Sequence, residues 1–259
     1  LNAPLRPRVP AAGPASMLRP QRLLDDAARE ASRRVAPSGL GLDSAAVRER
    51  MVQRLRAAGV ADAAVLDALG RVPRHAFVDT ALATQAYEDT ALPIGLSQTI
   101  SKPSVVAQML ALARGGANAR AQGHLGRVLE IGTGCGYQAA LLALLATRVV
   151  TIERLKPLHD KARANLASIG VRAPRLVFGD GMRGHAASAP YDTVIAAAGG
   201  DALPPAWLEQ LADGGRLVAP VHDPARGGQV LAIVDRHGAE WRRSLQQAVH
   251  FVPLRSGVE

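Results

Sequence analysis

The chain has 259 residues and a mass of 27.1 kDa, with 48% hydrophobic and only 3% aromatic residues. This is enough for one large core or two small ones. Charges and prolines interrupt every apolar run before the roughly 18–20 residues needed to cross a bilayer, and the first twenty residues lack the continuous apolar region of a secretory signal. Cys135 is the single cysteine, which excludes an internal disulfide and any multi-cysteine metal cluster and points to a reducing, cytoplasmic setting. The formal charge of +9 raises nucleic acid as a partner. However, the excess of Arg over Lys and the abundance of Ala are what a GC-rich coding sequence produces, so composition takes the larger share of that charge.

Residues 1–42 are rich in Pro, Arg and small residues and read as a flexible extension, with a short helical stretch from Pro20 to Val35. Residues 43–259 read as one domain. Its first part, 43–125, opens with a helix through "SAAVRERMVQRLRAAG", capped by Asp43 or Ser44 and closed at Gly59. A second helix, "ADAAVLDALGRV", runs into Pro73. Val47, Met51, Leu55, Val65, Leu66 and Leu69 form the expected buried faces. In "ALPIGLSQTISKPSVVAQML", Leu92–Gly95 reads as an apolar hinge, Gln98–Ser101 as a polar lip, and Pro103 as the first residue of a helix.

From residue 126 to 259 strands and helices alternate. "RVLEI", "RVVTIE", "PRLVFGD", "YDTVIAAA" and "RLVAPV" are strands, and "YQAALLALLA", "LKPLHDKARANLASIG" and "PPAWLEQLADGG" are helices. After Val221 the rhythm becomes strand–turn–strand around "RHG". The expected fold is therefore α/β: a Rossmann-like, doubly wound, mainly parallel sheet with an antiparallel edge hairpin and added N-terminal helices.

Gly132-Thr133-Gly134-Cys135-Gly136 lies where the first of these strands gives way to a helix, the place where open sheets bind ligands. Gly136 comes one position too early for a dinucleotide fingerprint, and Tyr137 stands in its place. Glu130, just before the turn, would repel a pyrophosphate and attract a cationic ligand with a free amino group. S-adenosylmethionine, with a sulfonium, an ammonium and no phosphate, is such a ligand. Glu153 closes the next strand, where it is placed to accept from both ribose hydroxyls, and Asp180-Gly181 after the third strand is placed to reach the adenine amine. Three acids at three successive strand ends, together with the glycine turn, specify this cofactor. Gly132, Thr133, Gly134, Gly136 and Arg154 complete the expected set; no metal is expected.

With these residues the chain resembles the protein-L-isoaspartate (D-aspartate) O-methyltransferases, from about Val47 to Leu254. The resemblance rests on "RVPRHAFV", "AYEDTALPIG", "SQTIS", "VLEIGTGCGYQAALLA", "FGDG", "PYDTVIAAA", "LADGGRLVAPV" and "FVPL". "LPIG…QTIS" is the most specific of these. It implies methylation of the free α-carboxylate of isoaspartyl residues in damaged proteins, with the ester closing to a succinimide whose hydrolysis returns some normal aspartate. It also implies that Ser101 is the active-site residue and that Gln98, Thr99 and Ile100 share the cofactor and substrate contacts.

The substrate carboxylate is already ionised near neutral pH, so no general base is required. His75, His185, His222 and His250 read as structural or surface residues, and Cys135 as a filler. Three positions depart from the family pattern: Ser97 replaces a glycine, Gly199-Gly200 suggests a mobile loop, and His222 replaces a glycine beside the substrate side. An RNA methyltransferase and a non-catalytic, cofactor-binding scaffold are the competing functions. A monomer is expected.

Overall fold

A computed structural model describes residues 45–259. The helix expected from Pro20 to Val35 and the caps expected at Asp43 and Ser44 lie outside the described residues.

Two helices, α1 (Ala45–Ala57) and α2 (Ala63–Arg71), open the described chain. Asp62 caps α2 by accepting from the Val65 N–H, and it also takes the Arg114 guanidinium at 2.7 Å. Two 3₁₀ turns, Arg74–Phe77 and Thr80–Gln85, lead to a two-stranded hairpin of β1 (Leu92–Gly95) and β2 (Gln98–Ile100). Leu92–Gly95 is thus a strand paired with the lip rather than a free hinge. Helices α3 (Pro103–Arg114) and α4 (Ala117–Gln122) follow.

The main sheet uses β3 (Arg127–Ile131), β4 (Arg148–Glu153), β5 (Arg175–Phe178), β6 (Tyr191–Ala196), β7 (Leu211–Asp223), β8 (Gly228–His237) and β9 (Glu240–Val249), in the order β5-β4-β3-β6-β7-β8-β9. The four pairings that join β5, β4, β3, β6 and β7 are parallel, and β8 and β9 are added antiparallel. Helices α5 (Tyr137–Leu145), α6 (Lys156–Ser168) and α7 (Pro205–Glu209) are the crossovers. The chain reverses direction across the sheet between β3 and β6. Ligands bind at such a switch point.

The period of two divides each central strand between two cores. Val128, Ile195 and Val218 pack with the N-terminal helices and α5, whereas Leu129, Val194 and Leu217 pack with Trp207 on the other face. Glu130 shares the face of Val128.

One boundary differs from expectation. The helix expected through "PPAWLEQLADGG" ends at Glu209, and Leu211 already pairs with Tyr191 as the start of β7. Trp207 holds the short helix in place, its indole N–H donating to the Gly181 carbonyl at 2.8 Å. Burial of that large side chain against the sheet outweighs the helical propensity of the residues that follow. Among the described residues no helix is long and apolar enough to cross a membrane.

Candidate active site

The glycine turn begins where β3 ends. The N–H groups of Gly132 and Thr133 both donate to the Ile152 carbonyl of β4, at 2.9 and 3.2 Å, which holds the turn over the neighbouring strand. Gly132, Gly134 and Gly136 all have positive φ, at 87°, 56° and 93°. At Gly136 a side chain would also stand 3.2 Å from Leu166 Cγ, so the third glycine sets the spacing between α5 and α6. Asn165 of α6 donates to the Cys135 carbonyl at 2.9 Å. The turn is braced from behind.

The three acids have three different roles. Glu153 is buried and lines the cleft above the turn. Its Oε2 accepts from Gly134 N–H at 2.8 Å, and its Oε1 accepts from the N–H groups of Arg154 and Leu155 at 2.9 and 3.0 Å. Three of its roughly four acceptor positions are thus engaged by backbone. Asp180 lies outside the lining; it caps its own turn through Met182 N–H and accepts Gly257 N–H from the C-terminal segment, both at 2.9 Å. Glu130 is fully buried beneath the floor and is not a wall of the cleft. Thr133 and Thr151 hydroxyls are 2.6 Å apart, and Thr151 donates onward to Glu130 Oε2 at 2.6 Å. Burial pushes the Glu130 carboxyl up to about 8, with the Thr151 hydrogen bond opposing the rise. Gln138 also faces this carboxyl, although its Nε2 completes no hydrogen bond of normal geometry.

The hairpin forms the opposite wall. Its two-residue loop has φ of 51° at Leu96 and 56° at Ser97, the pattern that a tight hairpin turn meets with Asn-Gly. The position of Ser97 does require the left-handed conformation, and Leu96 shares the strain. Helix α3 begins at Pro103, and Asp89 supplies its cap from a distance by accepting from Ser104 N–H at 2.8 Å and Ser104 Oγ at 2.7 Å. Lys161 of α6 donates to the Ile94 carbonyl at 3.0 Å and ties β1 to the helix that braces the glycine turn.

Arg74, absent from the sequence-level set, fastens the end of this lip. It is fully buried, donating from Nε to Ala86 O and from Nη2 to Ser101 O, each at 2.7 Å, and from Nη2 to Thr90 O at 3.4 Å, with its guanidinium 4.9 Å from the Tyr137 ring centroid. No carboxylate forms an ion pair with it among the described residues. A charge at this position in "RVPRHAF" gives no sign in sequence of being interior, because only the tertiary fold brings the three carbonyl-bearing segments around it.

Two cavities meet at the lip. The first encloses about 920 Å³, open to solvent, and is lined by Gln98, Thr99, Ile100, Ser101, Gly132, Thr133, Gly134, Glu153, Arg154 and Gly181 of the expected set. Gly136, Glu130 and Asp180 do not line it. Residues that sequence reasoning missed complete it: Ile94, Tyr137 and Gln138 on one side and Val252–Arg255 on the other. The second cavity lies beyond the hairpin and includes Lys102, Val105 and residues 248–252; Thr99, Ser101, Ala197 and Val252 belong to both. His250 lines this second groove, while His75, His185 and His222 line neither. Cys135 lines the first, but burial pushes its thiol pKa up, which suits a filler.

The Gly199-Gly200 loop is stitched down rather than mobile. Gly199 N–H donates to Val252 O at 2.9 Å, Leu254 N–H to Gly199 O at 2.8 Å, and His222 N–H to Gly200 O at 2.9 Å. A side chain at Gly199 would come within 2.7 Å of Gln229 Nε2. Glycine here serves close packing.

A mostly parallel sheet in this order, an acid-ended second strand and a glycine turn without a dinucleotide spacing define the class I methyltransferase architecture. The family model for "Protein-L-isoaspartate(D-aspartate) O-methyltransferase" matches residues 46–259. A protein-L-isoaspartate O-methyltransferase from Methylibium petroleiphilum is 62% identical over 250 residues, covering 95% of this chain and 91% of the relative. One from Leptothrix cholodnii is 58% identical over 243 residues, covering 92% of this chain and 84% of the relative. A solved protein-L-isoaspartate O-methyltransferase superposes with a TM-score of 0.72 at 25% identity, over 82% of this chain and 67% of that one. A Plasmodium falciparum structure in complex with S-adenosyl-L-homocysteine shares the fold at a TM-score of 0.67 and 20% identity, covering 80% of this chain and 98% of that one. The chain belongs to the protein-L-isoaspartate(D-aspartate) O-methyltransferase family.

Proposed function

We propose that the first cavity holds S-adenosylmethionine, the second takes an isoaspartyl segment of a damaged protein, and Ser101 stands between the two. The carrying observation is the shared lining, since Thr99 and Ser101 face both spaces. The reaction follows from the family: methyl transfer to the free α-carboxylate of isoaspartyl residues, and to the free side-chain carboxylate of D-aspartyl residues.

The residues present suit the cofactor. Glu153, on the cleft lining, leaves part of its carboxylate without a protein donor, whereas Tyr137 Oη and Gln138 Nε2, which complete no hydrogen bond of normal geometry, are turned to Arg74 and Glu130 behind the wall. Glu153 keeps acceptor capacity for a ribose hydroxyl and disfavours phosphate. Gly132, Thr133 and Gly134 form the floor, Arg154 and Gly181 the far end, and Gln98, Thr99 and Ile100 the near wall. Glu130 acts from below through Thr151 and Thr133, Gly136 through helix spacing, and Asp180 through its bond to the C-terminal segment. When bound, S-adenosylmethionine supplies a methyl group activated on a sulfonium.

The chain's own contribution is position and exclusion of water. The substrate carboxylate needs no base, so what matters is holding a weak nucleophile in line with its target. The Ser101 hydroxyl, free of partners among the described residues, is placed to donate to one carboxylate oxygen and leave the other directed at the cofactor side. Arg74 holds the Ser101 backbone while it does so.

Residues 43–259 form the methyltransferase domain in this reading, with residues 1–42 as an extension. The alignment with the Methylibium petroleiphilum relative, over 250 residues, extends beyond the 215 residues of 45–259. A cytoplasmic monomer completes the proposal. The test is transfer of labelled methyl from S-adenosylmethionine to an isoaspartyl peptide, yielding base-labile esters. Equal labelling of the matched aspartyl peptide would refute it.

A further inference from the structure

Methyl transfer uses the carboxyl ends of the strands. At the opposite, amino ends lies a third cavity of about 1020 Å³, open to solvent, between the starts of β3, β4 and β5 and the 187–191 segment. Four arginines line it, Arg127, Arg148, Arg172 and Arg175, and no Asp or Glu does. Arg127 and Arg148 are direct partners in the β3–β4 register, and Arg175 pairs with Val150 one strand further on. Like charges on directly opposed residues of adjacent strands repel one another.

The protein answers only part of this charge. The Arg127 guanidinium donates to the Ser188 and Ala189 carbonyls, and Arg175 donates to Ser188 Oγ at 3.4 Å. The nearest acid in sequence, Asp192, does not line the cavity; it accepts from the Arg127 backbone N–H and from Asn118. Arg148 and Arg172 are exposed and make no hydrogen bond or ion pair among the described residues. The remaining wall is apolar or neutral, with Ala143, Ala146, Val149 and Pro174 beside Tyr191.

We infer that this cavity is a binding site for an oligophosphate anion, separate from the methyl-transfer site, with the uncommitted Arg148 and Arg172 as its two clamps, the exposed Arg175 beside them, and Arg127, bound to the 188–189 carbonyls, as its floor. Four arginines lining one cavity without a carboxylate suit a chain of phosphates, whose successive groups can each accept from a guanidinium. A single carboxylate would leave most of the donors unused. The anion would also relieve the repulsion between Arg127 and Arg148.

The site is tested on the full chain with S-adenosylhomocysteine added to occupy the first cavity. Inorganic tripolyphosphate and ATP are titrated calorimetrically into the wild type and into R148A/R172A. Binding of tripolyphosphate that weakens about tenfold or more in the double variant supports the site. Tighter binding of ATP than of tripolyphosphate, also lost in the variant, identifies the apolar wall as a base subsite; equal binding identifies the phosphate chain alone. Without ligand, the variant should melt at or above the wild-type temperature and methylate an isoaspartyl peptide at the wild-type rate. Failure of tripolyphosphate to bind, binding indifferent to both arginines, or a lower melting temperature of the variant would overturn the proposal. Retention of single-stranded RNA without binding of either phosphate probe would overturn it as well.

Discussion

The glycine turn and the hairpin lip face each other across one cleft, and both need left-handed backbone. The turn meets that need with glycine at Gly132, Gly134 and Gly136, and each N–H that holds it has a partner in β4, Glu153 or the turn itself. The lip meets it with Leu96 and Ser97, and Leu96 is 53% exposed. Non-glycine residues in this conformation cost roughly 1 kcal/mol each. The lip is therefore held by what surrounds it: Arg74 at Ser101, Lys161 at Ile94 and Asp89 at the helix that follows. A glycine floor can be rigid by sequence; a wall between two cavities is rigid by its attachments.

That contrast can be broken most severely at Arg74. Replacing it with Met leaves the carbonyls of Ala86 and Ser101 without their donor. We expect kcat/KM for an isoaspartyl peptide to fall about 10²–10³-fold, as misplacement of reacting groups does. Affinity for S-adenosylhomocysteine should change by less than about threefold, since the turn is independent of the lip. Arg74→Lys should restore part of kcat with little effect on KM. Equal losses in cofactor and peptide binding would mean that Arg74 supports the whole domain and not the lip.

On the turn side, Glu130→Gln tests the floor. The carboxyl's folded pKa, about 8, lies above the ordinary value of about 4.5. The folded protein therefore keeps a proton that the unfolded chain releases, and stability falls as pH rises between those values. Gln removes the dependence, so the variant should gain roughly 3 kcal/mol on the wild type between pH 4 and pH 7. Urea unfolding at both pH values measures this; parallel curves for the two proteins would refute it.

Ser101→Ala should lower turnover about 10²-fold, about 2.7 kcal/mol in the barrier, while cofactor affinity measured by calorimetry stays the same. An unchanged turnover would remove the hydroxyl from the reaction. The smallest effect belongs to the loop. Ser97→Gly should stabilise the protein by about 1 kcal/mol, a rise in melting temperature of about 2–4 °C, because glycine adopts positive φ without strain. A loss of stability would show that Ser97 is held by contacts that outweigh its backbone cost.

Much of this molecule was legible as a string. Strands β3 and β4 begin and end at the residues that their apolar runs mark, since a strand buried on both faces has no alternative pattern. The glycine turn, Pro103 at the start of α3 and the antiparallel hairpin of β8 and β9 follow from local backbone chemistry in the same way. Short motifs single out Gln98–Ser101 and Glu153, and the fold puts them on the lining of one cleft. What sequence could not supply is where long-range packing puts a charge. Glu130 and Arg74 are both polar and both interior, one beneath the floor and one behind the lip, because strand alternation and three converging carbonyls bury them. The C-terminal residues Val252–Arg255 close the cleft only because the Gly199 segment pairs with them across more than fifty positions of sequence. Local patterns determine elements and turns, whose energies act over a few residues. Burial, cleft walls and the meeting of two cavities at Ser101 are properties of the assembled sheet, and the tertiary structure alone decided them.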